Sequence, residues 1–304
     1  MTAGSLRAEI APAVGGSLAR FDGGWRDGER QGRVDWLRPA SDQGLARRNP
    51  LAMASFPLVP FCNRIRDGRS SFEGRDIRFP PNHPSKASPH PLHGIGWQRR
   101  WTVLHASETQ AALALEVPAS EAWPWRFSAR QEFDLNETRL RVAISVANLD
   151  SATMPAGIGH HPYFPHTPGT RLTSSVTAMW QADAERMPTA LAATPEVERL
   201  RDGELLSSLD LDNNFVGWDR RALVEWPSDE AGPRRGLLMA AEAPLDYFVL
   251  YCPRGYDHFC AEPVSQCTDW LNLMPRYGHK AVGGARVAPG RTLDASFTLT
   301  PRWA

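Results

Sequence analysis

Ser128-Ala129-Arg130-Gln131-Glu132-Phe133-Asp134-Leu135, then Asn136-Glu137, then Thr138-Arg139-Leu140-Arg141-Val142-Ala143-Ile144-Ser145-Val146-Ala147-Asn148, is the stretch that decides the fold. Leu140, Val142, Ile144 and Val146 form an apolar row at every second position, the period of a half-buried strand. Asn136-Glu137 supplies a turn, so the two limbs read as an antiparallel hairpin. Just upstream, Leu113, Leu115 and Val117 repeat the pattern. Further strands are expected at 171–179, 221–226, 236–240, 247–251 and 293–299, with turns such as Asp67-Gly68 and Pro289-Gly290 between strands. Residues 184–199 form the one stretch long enough for a helix, and Pro188 and Pro195 limit it to a turn or two. Strand follows strand without intervening helices, which disfavours an α/β sheet. The expected fold is all-β, a large sandwich of two packed antiparallel sheets. No internal repeat, low-complexity tract or linker divides the chain, so residues 1–304 read as a single domain.

Composition narrows the function classes. Lys plus Arg equals Asp plus Glu, 34 against 34, without the basic excess of a general nucleic-acid binder. No apolar run of transmembrane length is present, and the N-terminus lacks the pattern of a signal peptide. The expectation is a cytoplasmic protein with no nucleic-acid or membrane partner. Cys62, Cys252, Cys260 and Cys267 form no Cys-x-x-Cys pair and are expected as reduced thiols.

Five polar islands interrupt the strands: residues 60–65, 90–94, 160–164, 212–215 and 258–263. Glu262 ends an apolar stretch, where desolvation raises a carboxylate's pKa and basicity. With a histidine it makes a base and acid pair, although a lone glutamate is more often structural. Arg64, beside Asn63, offers a planar fork of donors for a carboxylate or for neighbouring sugar hydroxyls; its bland reading is a salt bridge. His90 and His93 form His-x-x-His, and His160 with His161 adds two more imidazoles. Pro91 breaks any helix that would aim the first pair one way, so no metal site is expected. Neither a glycine-rich nucleotide loop nor Gly-x-Ser-x-Gly is present, and no cofactor is expected.

In this order and spacing, the islands resemble the aldose 1-epimerase (galactose mutarotase) family. The resemblance starts at residues 10–18. It continues through Asn63-Arg64-Ile65 (with Gly68, Phe72 and Gly74), Leu92-His93-Gly94, His161-Pro162-Tyr163-Phe164 and Asp212-Asn213-Asn214-Phe215. It ends at Cys260-Ala261-Glu262-Pro263 with Asn272, and at Pro289-Gly290. It implies a supersandwich fold and interconversion of the α and β anomers of a free hexose. Glu262 would be the general base at the C1 hydroxyl and His161 the general acid at the ring oxygen. His93 would bond the sugar near C1 or the ring, and Arg64 and Asp212, with Asn63, would hold its hydroxyls. A carboxylate and an imidazolium on opposite sides of one site would supply both proton transfers, their opposite charges stabilising each other.

Two departures mark the chain. His160 stands where the galactose-specific branch commonly has Asn, and Pro263-Val264 follows the glutamate in place of Thr-Gln. They point to a bacterial branch whose sugar preference is open. The alternatives are a 1-epimerase of a phosphorylated or sulfonated hexose, with Arg66, Arg69, Arg254 and Arg276 as available cations, and a non-catalytic sugar-binding sandwich. The expected assembly is a monomer or homodimer.

Overall fold

The computed structural model describes residues 1–84 and 88–303. The 128–148 stretch is a hairpin: Phe127–Leu135 pairs antiparallel with Leu140–Asn148, from Phe127 opposite Asn148 to Leu135 opposite Leu140. Its turn spans four residues, where the sequence suggested two. The Asn136 side-chain oxygen accepts hydrogen bonds from the Thr138 and Arg139 amides and so closes it. Burial alternates strictly along Leu140–Asn148, as its apolar row requires.

This hairpin sits in a nine-stranded sheet. In spatial order its strands are Glu204–Leu205, Arg171–Ser174, Arg221–Trp226, Arg235–Ala241, Thr292–Trp303, Leu140–Asn148, Phe127–Leu135, Gln110–Val117 and Thr102–Ala106. The second large sheet runs Pro188–Ala192, Ala178–Ala182, Leu211–Val216, Tyr247–Cys252, His258–Val264, Gly159–His160 and Pro57–Leu58, with Tyr163–Pro165 also paired to His258–Val264. A four-stranded sheet carries the N-terminal residues Thr2–Asp35. The pairings within these sheets are antiparallel. One apolar cluster, from Leu6 to Leu299, contains Trp36, Trp97, Trp101, Trp123, Trp125, Trp180, Trp226 and Trp270 as fully buried rings. The protein is all-β, built mainly of two large antiparallel sheets around this core.

Three local expectations are corrected. The strand expected over 171–179 is two strands, Arg171–Ser174 in the larger sheet and Ala178–Ala182 in the other; the chain changes sheet between them, which the period of a single strand does not reveal. The 184–199 stretch holds the strand Pro188–Ala192 and the start of a helix, Pro195–Asp202. Pro195 fits at the first helical position because its missing N–H has no partner to lose there. Trp270–Tyr277 is a helix that the strand-dominated reading passed over. No helix among the described residues is long and apolar enough to cross a membrane.

Candidate functional site

Register brings the polar islands together. Asp212 pairs with Tyr251, Tyr251 with Cys260, and Cys260 with Tyr163, so these four positions form one row across four strand segments. Side chains two residues apart in a strand share a face. Glu262, two residues beyond Cys260, therefore joins Asp212, Tyr251 and Tyr163 on one face. All four line a cavity of about 280 Å³, together with His161, His93, Asn63, Arg64, Arg38, Leu51, His83, Leu92 and His258.

At its centre, His161 Nε2 lies 3.2 Å from Glu262 Oε1, with both residues buried. The other carboxylate oxygen, Oε2, has no hydrogen-bond partner among the described residues. The His161 ring packs near-parallel to Phe56 at 4.6 Å and to Tyr163 at 4.8 Å, which limits its freedom to turn. Burial raises the pKa of Glu262 well above the ordinary carboxylate value, helped by the Asp212 charge and opposed by Arg64. Burial likewise lowers His161 to about 3. This corrects the electrostatic expectation. The two groups touch instead of standing on opposite sides, and desolvation disfavours the charged form of each. Burial thus favours the uncharged arrangement, a carboxylic acid against a neutral imidazole with one proton between them, over the ion pair.

The floor is built from strained loops. Asn63 and His93 both have φ in the left-handed region, 56° and 58°. They are tied reciprocally: the Asn63 amide donates to His93 Nδ1 at 3.1 Å and the His93 amide to the Asn63 carbonyl at 2.8 Å. His93 Nδ1 is therefore the acceptor, and its proton sits on Nε2. Burial holds this ring neutral, with a pKa well below the ordinary histidine value. Strain of this kind persists only where the surroundings over-determine it. Here Gln266, fully buried, clamps the backbone of Cys62 through both amide atoms. Asp269 accepts from the Arg66 amide and donates its own amide to the Arg64 carbonyl.

Arg64 is held by the side-chain oxygen of Asn63 at 3.1 Å and by Asp212 at 3.3 Å. The sequence-derived residues Glu262, His161, His93, Arg64, Asn63 and Asp212 thus all reach one cavity. Some residues do not. His90 accepts from the Asp67 amide and is absent from the lining, so His90 and His93 do not aim at a common point. Among the described residues no group of three or more His, Cys, Asp or Glu is arranged to hold a metal. Arg66, Arg69, Arg254 and Arg276 are likewise absent from the lining. In their place the cavity has Arg38, which the sequence reading missed, because nothing in Trp36-Leu37-Arg38-Pro39 marks it. Arg38 stacks 3.9 Å over the Tyr163 ring and donates to the Leu51 and Met53 carbonyls. His258, bonded to Asp257 at 2.8 Å, was also missed as a lining residue, although it stands in the same island as Glu262.

Fold and site together define a galactose mutarotase-like β-protein with a buried histidine–glutamate contact in a polar cavity. Over residues 5–300 the sequence matches the aldose 1-epimerase family, and the chain belongs to that family. It is 28% identical to the uncharacterized protein YphB of Escherichia coli (strain K12), over 99% of this chain and 97% of that protein. A solved structure from Escherichia coli K12, provisionally named an aldose 1-epimerase, superposes with a TM-score of 0.84 at 27% identity, covering 100% of this chain and 98% of the other. A galactose mutarotase-like protein of Clostridium acetobutylicum shares the fold, with a TM-score of 0.83 at 20% identity, over 100% and 94% of the two chains. Family membership supports a mutarotase-type isomerase that acts on a sugar.

Proposed function

We propose that the protein, as one domain over residues 1–304, interconverts the α and β anomers of a free hexose. The observation that carries this reading is the 3.2 Å contact between His161 Nε2 and Glu262 Oε1 in the wall of a polar cavity. Glu262 as carboxylate takes the proton from O1, and His161 as imidazolium gives one to O5. The C1–O5 bond breaks and the C1=O1 double bond forms. Rotation about C1–C2 and reclosure with the roles reversed deliver the other anomer and restore the pair. The neutral and charged arrangements of the pair contain the same single proton, so the charged one is reached by transfer across the contact. On this reading neutral His93 donates from Nε2 to the sugar near C1, and Arg64 and Asp212, with Asn63, hold its hydroxyls. No cofactor enters these steps. Four buried free thiols fit a reducing compartment such as the cytoplasm. The expected partner is the sugar alone, with no nucleic acid, and the chain acts as a monomer or homodimer.

Polarimetry of freshly dissolved α-D-glucose and α-D-galactose tests the reading. Acceleration that is lost in Glu262→Gln and in His161→Asn is expected. Binding without acceleration would leave a sugar-binding sandwich instead.

Arg38 favours a second reading, a 1-epimerase of a phosphorylated or sulfonated hexose. Arg38 lines the cavity, where its guanidinium lies over the Tyr163 ring and brings a positive charge near Asp257 and His258. On this reading the protein accelerates a hexose 6-phosphate more than the free hexose, and Arg38→Met removes that preference by 10-fold or more, on the order of one buried charged hydrogen bond. Equal acceleration of both sugars by the parent protein would exclude it.

A further inference from the structure

His160 ends the strand Gly159–His160, His161 follows it, and the two side chains point in different directions. His161 lines the cavity, whereas His160 turns into the space between the two large sheets. There it is buried, and both ring nitrogens are engaged. Nε2 meets the Gln131 side-chain oxygen at 3.0 Å, and Nδ1 meets the Ser55 hydroxyl at 2.5 Å. Gln131 is the one polar residue on the inward row of Phe127–Leu135, and it is fully buried. Its amide nitrogen donates to the Gly16 carbonyl at 3.1 Å, which sets its oxygen toward His160. His160 therefore carries its proton on Nε2 and accepts from Ser55. A Cβ on Gly16 would come within 2.6 Å of that amide nitrogen, so the approach is open only to glycine. The relay from Gly16 through Gln131 and His160 to Ser55 is satisfied at each of these contacts and ties the larger sheet to the His161 segment.

The next residue along each segment completes the contact. His161 donates its amide to the Phe56 carbonyl at 3.0 Å, and the Phe56 ring packs on the His161 ring. Residues 55 and 160 thus meet on the core side, and 56 and 161 on the cavity side. A slip of one residue would exchange the two histidines between core and cavity. An apolar side chain at 160 would suit the core but would accept small shifts. A ring bonded at both nitrogens accepts one position.

We infer that His160, held by Gln131 and Ser55, is a positioning residue that fixes the register of the His161 segment and so the placement of the His161 ring against Glu262. This rests on the acid–base role of His161 proposed above. The experiment compares His160→Gln with the double variant His160→Leu/Gln131→Leu. Replacing both removes the His160–Gln131 pair together but leaves the Ser55 hydroxyl and the Gly16 carbonyl without these partners, so the double variant is expected to melt below the parent, and kcat is read at a temperature where its melt shows it folded. It is expected to lose 10-fold or more in kcat with KM within about 2-fold, while His160→Gln, which keeps hydrogen bonding, retains kcat within about 3-fold. A double variant with parental kcat would overturn the inference, as would a His160→Gln variant that loses as much kcat as the double variant. If the parent itself accelerates no sugar, the proposed function fails, and the inference is then read from the 15N resonances of the His161 ring. Broadened or doubled signals in the double variant alone support it; signals that match the parent's overturn it.

Discussion

Glu262→Gln is expected to lower kcat by about 10²–10⁴-fold, the span that positioned acid–base groups contribute, while the fold becomes more stable at neutral pH. The first half follows from the proposed role of Glu262 as the base that takes the O1 proton. The second follows from burial. Because Glu262 is desolvated, its pKa in the folded protein lies well above the unfolded value. The unfolded chain therefore ionises first as pH rises. Whatever stability the protonated form provides is complete below the unfolded pKa and is lost as pH climbs through the folded one. Glutamine has nearly the same shape and no charge, so it escapes this loss. Thermal melts of parent and variant at pH 5, 7 and 9 should separate progressively, with the variant higher. A variant that melts below the parent at pH 9 would show that Glu262 is held there as a stabilised anion.

His161→Asn is expected to cost a comparable factor in kcat and, in addition, to reverse the pH dependence around neutrality. In the parent the pair must hold one proton. It gains a second only near the lowered His161 value, about 3, and loses the first only above the raised Glu262 value. Its kcat/KM should therefore stay level through 6.5, where an ordinary histidine titrates, and fall on the alkaline side. Without His161 the remaining group is Glu262 alone, which works as a base only when ionised. Residual activity should then rise with pH through the Glu262 value, where the parent's falls. A parent profile with an acid limb at 6.5 would mean that His161 titrates as an exposed imidazole, against its burial.

Much of this was legible in the chain. The alternation of Leu140, Val142, Ile144 and Val146 is a local property, and local periodicity survives folding because one face of the strand must be buried. The six residues singled out for chemistry stand in polar islands, and all six line the cavity. What was missed was non-local. Arg38 belongs to no island and enters the cavity because its amide donates to the Tyr163 carbonyl and its guanidinium is tied to the 51–53 turn. Gln266 and Asp269 support the loops from more than 200 positions away, through contacts that leave no pattern in sequence.

By itself the sequence determined the strand content, the antiparallel sandwich and, through motif order, the family whose chemistry Glu262 and His161 can serve. Tertiary structure decided which neighbour does what. His160 and His161 are the same residue type one position apart, and composition cannot separate them. The folded backbone turns one toward Gln131 in the core and the other toward Glu262 in the cavity. The charge state was decided there too. Attraction between a carboxylate and an imidazolium favours the ion pair in any sequence that supplies both, but only the folded environment sets the desolvation cost, and here burial is the first cause of the shift in each group.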